Sequence, residues 1–134
     1  DPSVNEWNRS FVGLPIWLWT PGEPTLHSTV TGYGITITMN AQRGTTTFTM
    51  GDGNKVTCTR MTPYTKATKP GAASPTCGHT YTWPSLPDGN YTITATSHWT
   101  ITWTALGYNG TIPLTRTAQR DLPIDELHSL NTKR

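Results

Sequence analysis

The chain has 134 residues, the size of one ordinary domain, and only 13% of them are charged, against about a quarter in a typical soluble domain. That argues against a two-domain cofactor enzyme and against a charged helix bundle, and a net charge of +2 with scattered cations leaves no basic stripe for nucleic acid. Threonine, at 28 residues, with six Trp, five Tyr and two Phe, points instead to strands around one aromatic core.

In chain order, Val4 to Trp19 carries Trp7, Phe11, Trp17 and Trp19 without clean alternation. Residues 1–20 read as an aromatic N-terminal arm or linker ahead of a β domain at 21–134. Trp17 and Trp19, two apart, share one face if extended, and are expected to dock on a partner, either another copy or an upstream domain. The longest apolar cluster, Leu14 to Trp19, is too short to cross a bilayer, so no membrane insertion is expected. Asp1 in place of Met fits removal of a secretion signal.

Period-two alternation then takes over. Tyr33, Ile35, Ile37 and Met39 alternate with Thr36 and Thr38, and Thr46, Phe48 and Met50 with Thr45, Thr47 and Thr49. Arg43-Gly44 reads as a turn between these strands, and Gly51-Asp52-Gly53-Asn54 as the turn before Val56 and Cys58. The Pro-rich stretch between Cys58 and Cys77 reads as a long loop. A disulfide across it would stabilise the fold by roughly 3 kcal/mol and implies an oxidising compartment. A zinc site would need His79 beside the two thiols, and a catalytic thiol lacks a neighbouring His or helix start to lower its pKa.

After a turn at Pro87-Asp88-Gly89-Asn90, the run Tyr91 to Thr104 alternates throughout, with Tyr91, Ile93, Ala95, Ser97, Trp99, Ile101 and Trp103 on one face. At about 3.3 Å per residue it spans roughly 46 Å, so it is expected to bend near Ser97 or to pass beyond its partners. Asn109-Gly110 reads as the next turn, before Ile112 and Leu114. Leu122 to Leu130 fits a last strand better than a short helix. Repeated short strands with this punctuation predict an all-β antiparallel sandwich or barrel.

Phe48-Thr49-Met50-Gly51-Asp52-Gly53, then His79-Thr80-Tyr81, then Gly89-Asn90-Tyr91-Thr92-Ile93-Thr94 resemble the polycystic kidney disease (PKD) domain, whose motifs run aromatic-x-hydrophobic-Gly-Asp-Gly, His-x-Tyr and Gly-x-Tyr-x-Val. The likeness covers roughly residues 28 to 104, with Phe48 in place of the usual Trp and an unusually long loop before His79. It implies an immunoglobulin-like sandwich from extracellular or cell-surface proteins, usually a spacer or binding module. Together with the tract Val12 to Trp19, the whole looks like secreted actinobacterial proteins, which gives a location and not an activity.

Gly51, Asp52 and Gly53 read as a structural turn, with His79 and Tyr81 packed against it, rather than as a calcium loop, which would need further oxygens. No nucleophile elbow, zinc-protease or phosphate-loop motif occurs, so no catalytic residue, metal or cofactor is expected. Trp99, Trp103, Tyr91 and Phe48 fall on apolar phases and read as core. Trp7, Trp17, Trp19, Trp83 and Tyr108 lie in irregular contexts and are the candidate binding residues. The expected function is a secreted or cell-surface, non-catalytic module for protein recognition or surface architecture, with self-association or a protein partner. A carbohydrate-binding module and a surface-fibre subunit are the alternatives.

Overall fold

The computed structural model describes residues 10–85 and 89–126, and contains strands but no helix among them. The strands are β1 (Ser10–Phe11), β2 (Ile16–Trp17), β3 (Thr25–Gly32), β4 (Ile35–Thr49), β5 (Lys55–Cys58), β6 (Gly78–His79), β7 (Tyr91–Ala105), β8 (Tyr108–Leu122) and β9 (Ile124–Asp125). Trp7 and the end of the expected last element, Leu127 to Leu130, lie outside the described residues. The expected all-β class is present, and the main sheet runs in the order β3-β4-β7-β8, antiparallel throughout, with β5 also on β4. β7 and β8 form one unbroken ladder of 15 pairs, from Tyr91↔Leu122 to Ala105↔Tyr108.

Two expected turns are absent. Arg43-Gly44 sits inside β4, where the register against β7 shifts between Arg43↔Trp99 and Thr46↔Ser97. Gly44 and Thr45 thus oppose the single residue His98, which is a β-bulge. Asn109-Gly110 sits inside β8, paired with Thr104 and Trp103. Gly110 is needed there because the indole of Trp103 lies across it, and a Cβ would come within 2.6 Å of the ring. The reversals fall instead at Tyr33-Gly34 and Leu106-Gly107, two-residue loops with positive φ at both positions (52° and 76°, 53° and 78°). Such I′ loops match the twist of the strands, although Tyr and Leu are not the residues that favour them.

Among the described residues only one end of the sheet, here called proximal, is covered. Phe48 and Met50 from β4 and its end, Ile93 and Ala95 of β7 and Leu122 of β8 pack with Ile16, Leu18, Tyr81 and Ile124. Residues 10–20, expected as an arm outside the domain, therefore supply part of its core: Ile16 and Leu18 are wholly buried and Trp17 nearly so. A single sheet cannot bury its own face, and this segment is the layer that covers it. β2 pairs with β6, Leu18 N donates to Cys77 O (3.0 Å), and the backbone at Gly78 passes so close to Ile16 O that a Cβ would stand 2.7 Å away. Cys58 and Cys77 are disulfide-bonded, Cα atoms 5.8 Å apart, which fastens this cover to β5.

Removing residues 1–20 should leave a chain that does not fold, where an external arm would leave a folded domain; circular dichroism and thermal melting distinguish the two. Leu18→Ala should cost about 2–5 kcal/mol in urea unfolding, as expected for a large core side chain without room to collapse.

Candidate functional site

Beyond the proximal core the sheet continues as a distal half built from β3, the first part of β4, the second part of β7 and the first part of β8. The bulge at Gly44-Thr45 changes which residues of β4 share a face. Ile37, Met39, Ala41 and Arg43, at odd positions, join Thr46 and Phe48, at even positions, on the side of Trp99 and Ala95. One face therefore carries mostly apolar side chains along its length, interrupted near the bulge by Arg43, Thr46, Ser97 and Arg116 and, nearer the core, by Arg120. In its distal half that face carries Leu26 and Val30 of β3, Ile35, Ile37 and Met39 of β4, Trp99, Ile101 and Trp103 of β7, and Tyr108, Ile112 and Leu114 of β8. Among the described residues no layer covers it. Leu26, Val30 and Ile112 are about half exposed (57%, 52% and 50%), although all three point the same way as the buried Ile93. The opposite face presents Thr29, Thr31, Thr36, Thr38, Thr100, Thr102 and Thr104, several of them bonded to cross-strand neighbours such as Thr31 Oγ1 to Thr36 Oγ1 at 3.2 Å.

Where the apolar face meets the core, a cleft of about 680 Å³ opens between the loop Thr20 to Glu23 and the sheet. Trp99, Leu114 and Ile101 form its floor, with Arg43 and Arg116 on flanking strands. Arg43 donates from Nη1 to Thr20 Oγ1 (3.0 Å), and its amide donates to Pro24 O (2.8 Å), which fixes the loop; its Nε is buried without a hydrogen-bond partner.

The motifs behind the PKD resemblance meet at the other end of the core. Asp52, between the positive-φ residues Gly51 and Gly53, accepts from Asn54 N (3.0 Å), Asn54 Nδ2 (3.1 Å) and His79 Nε2 (2.9 Å). Gly51 cannot be replaced cheaply, since a Cβ there would stand 2.9 Å from Thr92 O. Tyr81, wholly buried, donates to Met50 O (2.8 Å), packs edge-on against His79 and stacks on Tyr91 at 4.5 Å. Tyr91 in turn donates to Trp83 O and Pro84 O. Burial pushes the Asp52 carboxyl up, but the bonds from His79 and Asn54 and the charge of His79 outweigh it, and the group titrates below its ordinary value. Burial, then the Asp52 charge and Tyr91, hold the Tyr81 phenol far above its ordinary range. This arrangement clasps a turn, and among the described residues no group of three or more His, Cys, Asp or Glu side chains is placed to hold a metal ion.

The aromatic residues expected to bind do not share a surface. Trp17 is buried, its Nε1 donating to Ala72 O (2.7 Å) and its ring edge-on to Tyr64. Trp19 is half-buried. Trp83 and Tyr108 are each 74% exposed, but Trp83 lies beside Tyr91 and Tyr108 pairs with Ala105, so roughly 46 Å of β7 separates them. Trp99 and Trp103, expected in the core, instead line the uncovered face and are only half-buried. Compared with protein-family models, with curated proteins and with solved structures, the chain matches none.

Because the Asp52 carboxyl is held below its ordinary value of 3.8, its contribution to stability is complete above that pH and is lost as pH falls through the lower folded value. Melting temperatures measured from pH 7 down to pH 2 should fall less steeply below pH 4 for Asp52→Ala than for the parent. At neutral pH the same variant should be less stable by about 1–3 kcal/mol.

Proposed function

We propose that this chain is a non-catalytic extracellular module, of the PKD-like sandwich kind, that serves surface architecture by recognising a second copy of itself through the apolar face of the distal sheet. The observation that carries the reading is that face, apolar across four strands and uncovered among the described residues. Four strands about 4.8 Å apart and about ten residues long give roughly 600 Å². That is at the upper limit of patches on monomers, and approaches the roughly 800 Å² per partner of a stable interface. Two such faces stacked about 10 Å apart reproduce the packing of a β-sandwich, which the distal half lacks among the described residues.

Charge favours the same occupant. Arg43 and Arg116 stand at the base of the face, while its tip carries Trp103 and Tyr108. In a two-fold pair with the sheets reversed, each copy's guanidinium groups lie toward the aromatic tip of the other, which suits cation–π contact and keeps the arginines apart. The Cys58–Cys77 disulfide supports an oxidising location. No helix among the described residues is long and apolar enough to cross a membrane. The second reading, a carbohydrate-binding module, is favoured by the cleft, where the Trp99 ring lies beside Arg43 and Arg116 with Glu23 in the wall.

Sedimentation equilibrium tests the reading. The parent should associate at micromolar concentration, and Ile112→Glu, at a half-exposed position, should weaken that association at least tenfold while changing stability by no more than about 0.5 kcal/mol. A parent that stays monomeric at about 100 µM sinks self-recognition through this face. Retention on insoluble polysaccharide that is lost in Trp99→Ala would then favour the sugar reading.

A further inference from the structure

The two edges of the main sheet are unlike. β8, on one side, carries Pro113, Arg116, Arg120 and Asp121, the proline and charges by which edges resist pairing with another strand. β3, on the other, runs Thr-Leu-His-Ser-Thr-Val-Thr-Gly over Thr25–Gly32, every residue exposed, with no Lys, Arg, Asp, Glu or Pro and no bulge against β4. Among the described residues its only strand partner is β4.

The register tells which backbone groups of β3 are free. Arg43 N donates to Pro24 O, so Pro24 and Arg43 form a hydrogen-bonded pair. Such pairs recur at every second residue of an antiparallel ladder. Along the register Leu26↔Ala41, Ser28↔Met39 and Val30↔Ile37, the even residues of β3 therefore turn their N–H and C=O toward β4. Thr25, His27, Thr29 and Thr31 turn theirs outward.

We propose that β3 is a self-pairing edge: Thr25 to Thr31 of one copy lies antiparallel to Thr31 to Thr25 of another about a two-fold axis at Ser28, and joins the two distal sheets into one. In that register Thr25 opposes Thr31 and His27 opposes Thr29, outward residue to outward residue, so the ladder closes without a register fault. The opposed side chains stand on the threonine face, where β-branched cross-strand pairs are favourable. The guarded edge of β8 disfavours a head-to-tail contact of β3 on β8, so edge pairing by itself stops at two copies. It goes beyond the face-to-face contact proposed above and does not depend on it. Where both operate, each copy has two different two-fold contacts, and the assembly extends in a line.

Sedimentation velocity on the full chain separates the contacts, using the parent, Thr29→Pro, Ile112→Glu and the double variant. Thr29 N–H faces away from β4, so proline there removes an edge donor and leaves the β3-β4 ladder intact. With both contacts present, the parent forms species larger than a dimer, each single variant is a dimer and the double variant a monomer. If the face-to-face reading fails, the parent is a dimer, Ile112→Glu is unchanged and Thr29→Pro is monomeric, which still supports the edge. A Thr29→Pro protein that sediments like the parent overturns it. Hydrogen exchange gives a reading that does not depend on any variant: in the parent the amides of Thr25, His27, Thr29 and Thr31 should be protected in concentrated solution and exchange at least tenfold faster on dilution. Equal exchange at both concentrations overturns the proposal.

Discussion

The length of the β7-β8 hairpin against the depth of the core is the constraint from which the rest follows. A ladder of 15 pairs runs roughly 46–50 Å, while the covering layer, made of β2, β6, the disulfide loop and Tyr81, reaches only over the part from Tyr91 to about Ser97. Apolar residues nevertheless continue on the same face to Trp103 and Tyr108. An alternating strand has no means of changing its buried side part-way without a bulge, and β7 has none, so the apolar phase that builds the core is carried unchanged into solvent. The bulge in β4 serves the same end, since without it Ile37 and Phe48 would lie on opposite sides.

Much of this was legible in the residues themselves. The alternation of Tyr91 to Thr104 located β7, the phase Thr46-Phe48-Met50 named three wholly buried side chains, and the Pro-rich loop flagged the Cys58–Cys77 bond. The convergence of Asp52, His79 and Tyr81 was legible from the ordered motifs. The uncovered face was not, because alternation reports which residues share a side and says nothing of what lies above them. One signal was available: after β4, β7 and β8 are supplied, the remaining apolar residues, chiefly Leu14 to Trp19, are too few to cover sheets of that length. The reversals were misread for a local reason. Asn109-Gly110 carries the stronger turn signal, but its glycine accommodates the Trp103 ring, while Tyr33 and Leu106 occupy left-handed positions that Asn or Gly would normally take. Long ladders on both sides impose those turns against local preference.

The two faces of the distal half divide the chemistry. Threonine on one side offers hydroxyls that bond across strands, as between Thr31 and Thr36, with methyl groups that keep β propensity high, so a solvent-facing surface is built almost without charge. Low charge is what leaves β3 unguarded and what keeps long-range repulsion between copies small. The scarcity of acidic and basic residues noted at the outset is therefore a property of the surface, and it bears on association more than on the fold.

The short parallel pair β1-β9 has a mechanical consequence. Ser10 N donates to Pro123 O and Val12 N to Asp125 O, so the chain enters and leaves the described body side by side, at the covered end. Tension applied through the flanking chain would load that two-residue clasp and the Ile16 and Leu122 contacts behind it, while β3 and the far half of the β7-β8 hairpin stay off the force path. The protruding blade would keep its shape under a pull that had already begun to peel open its base.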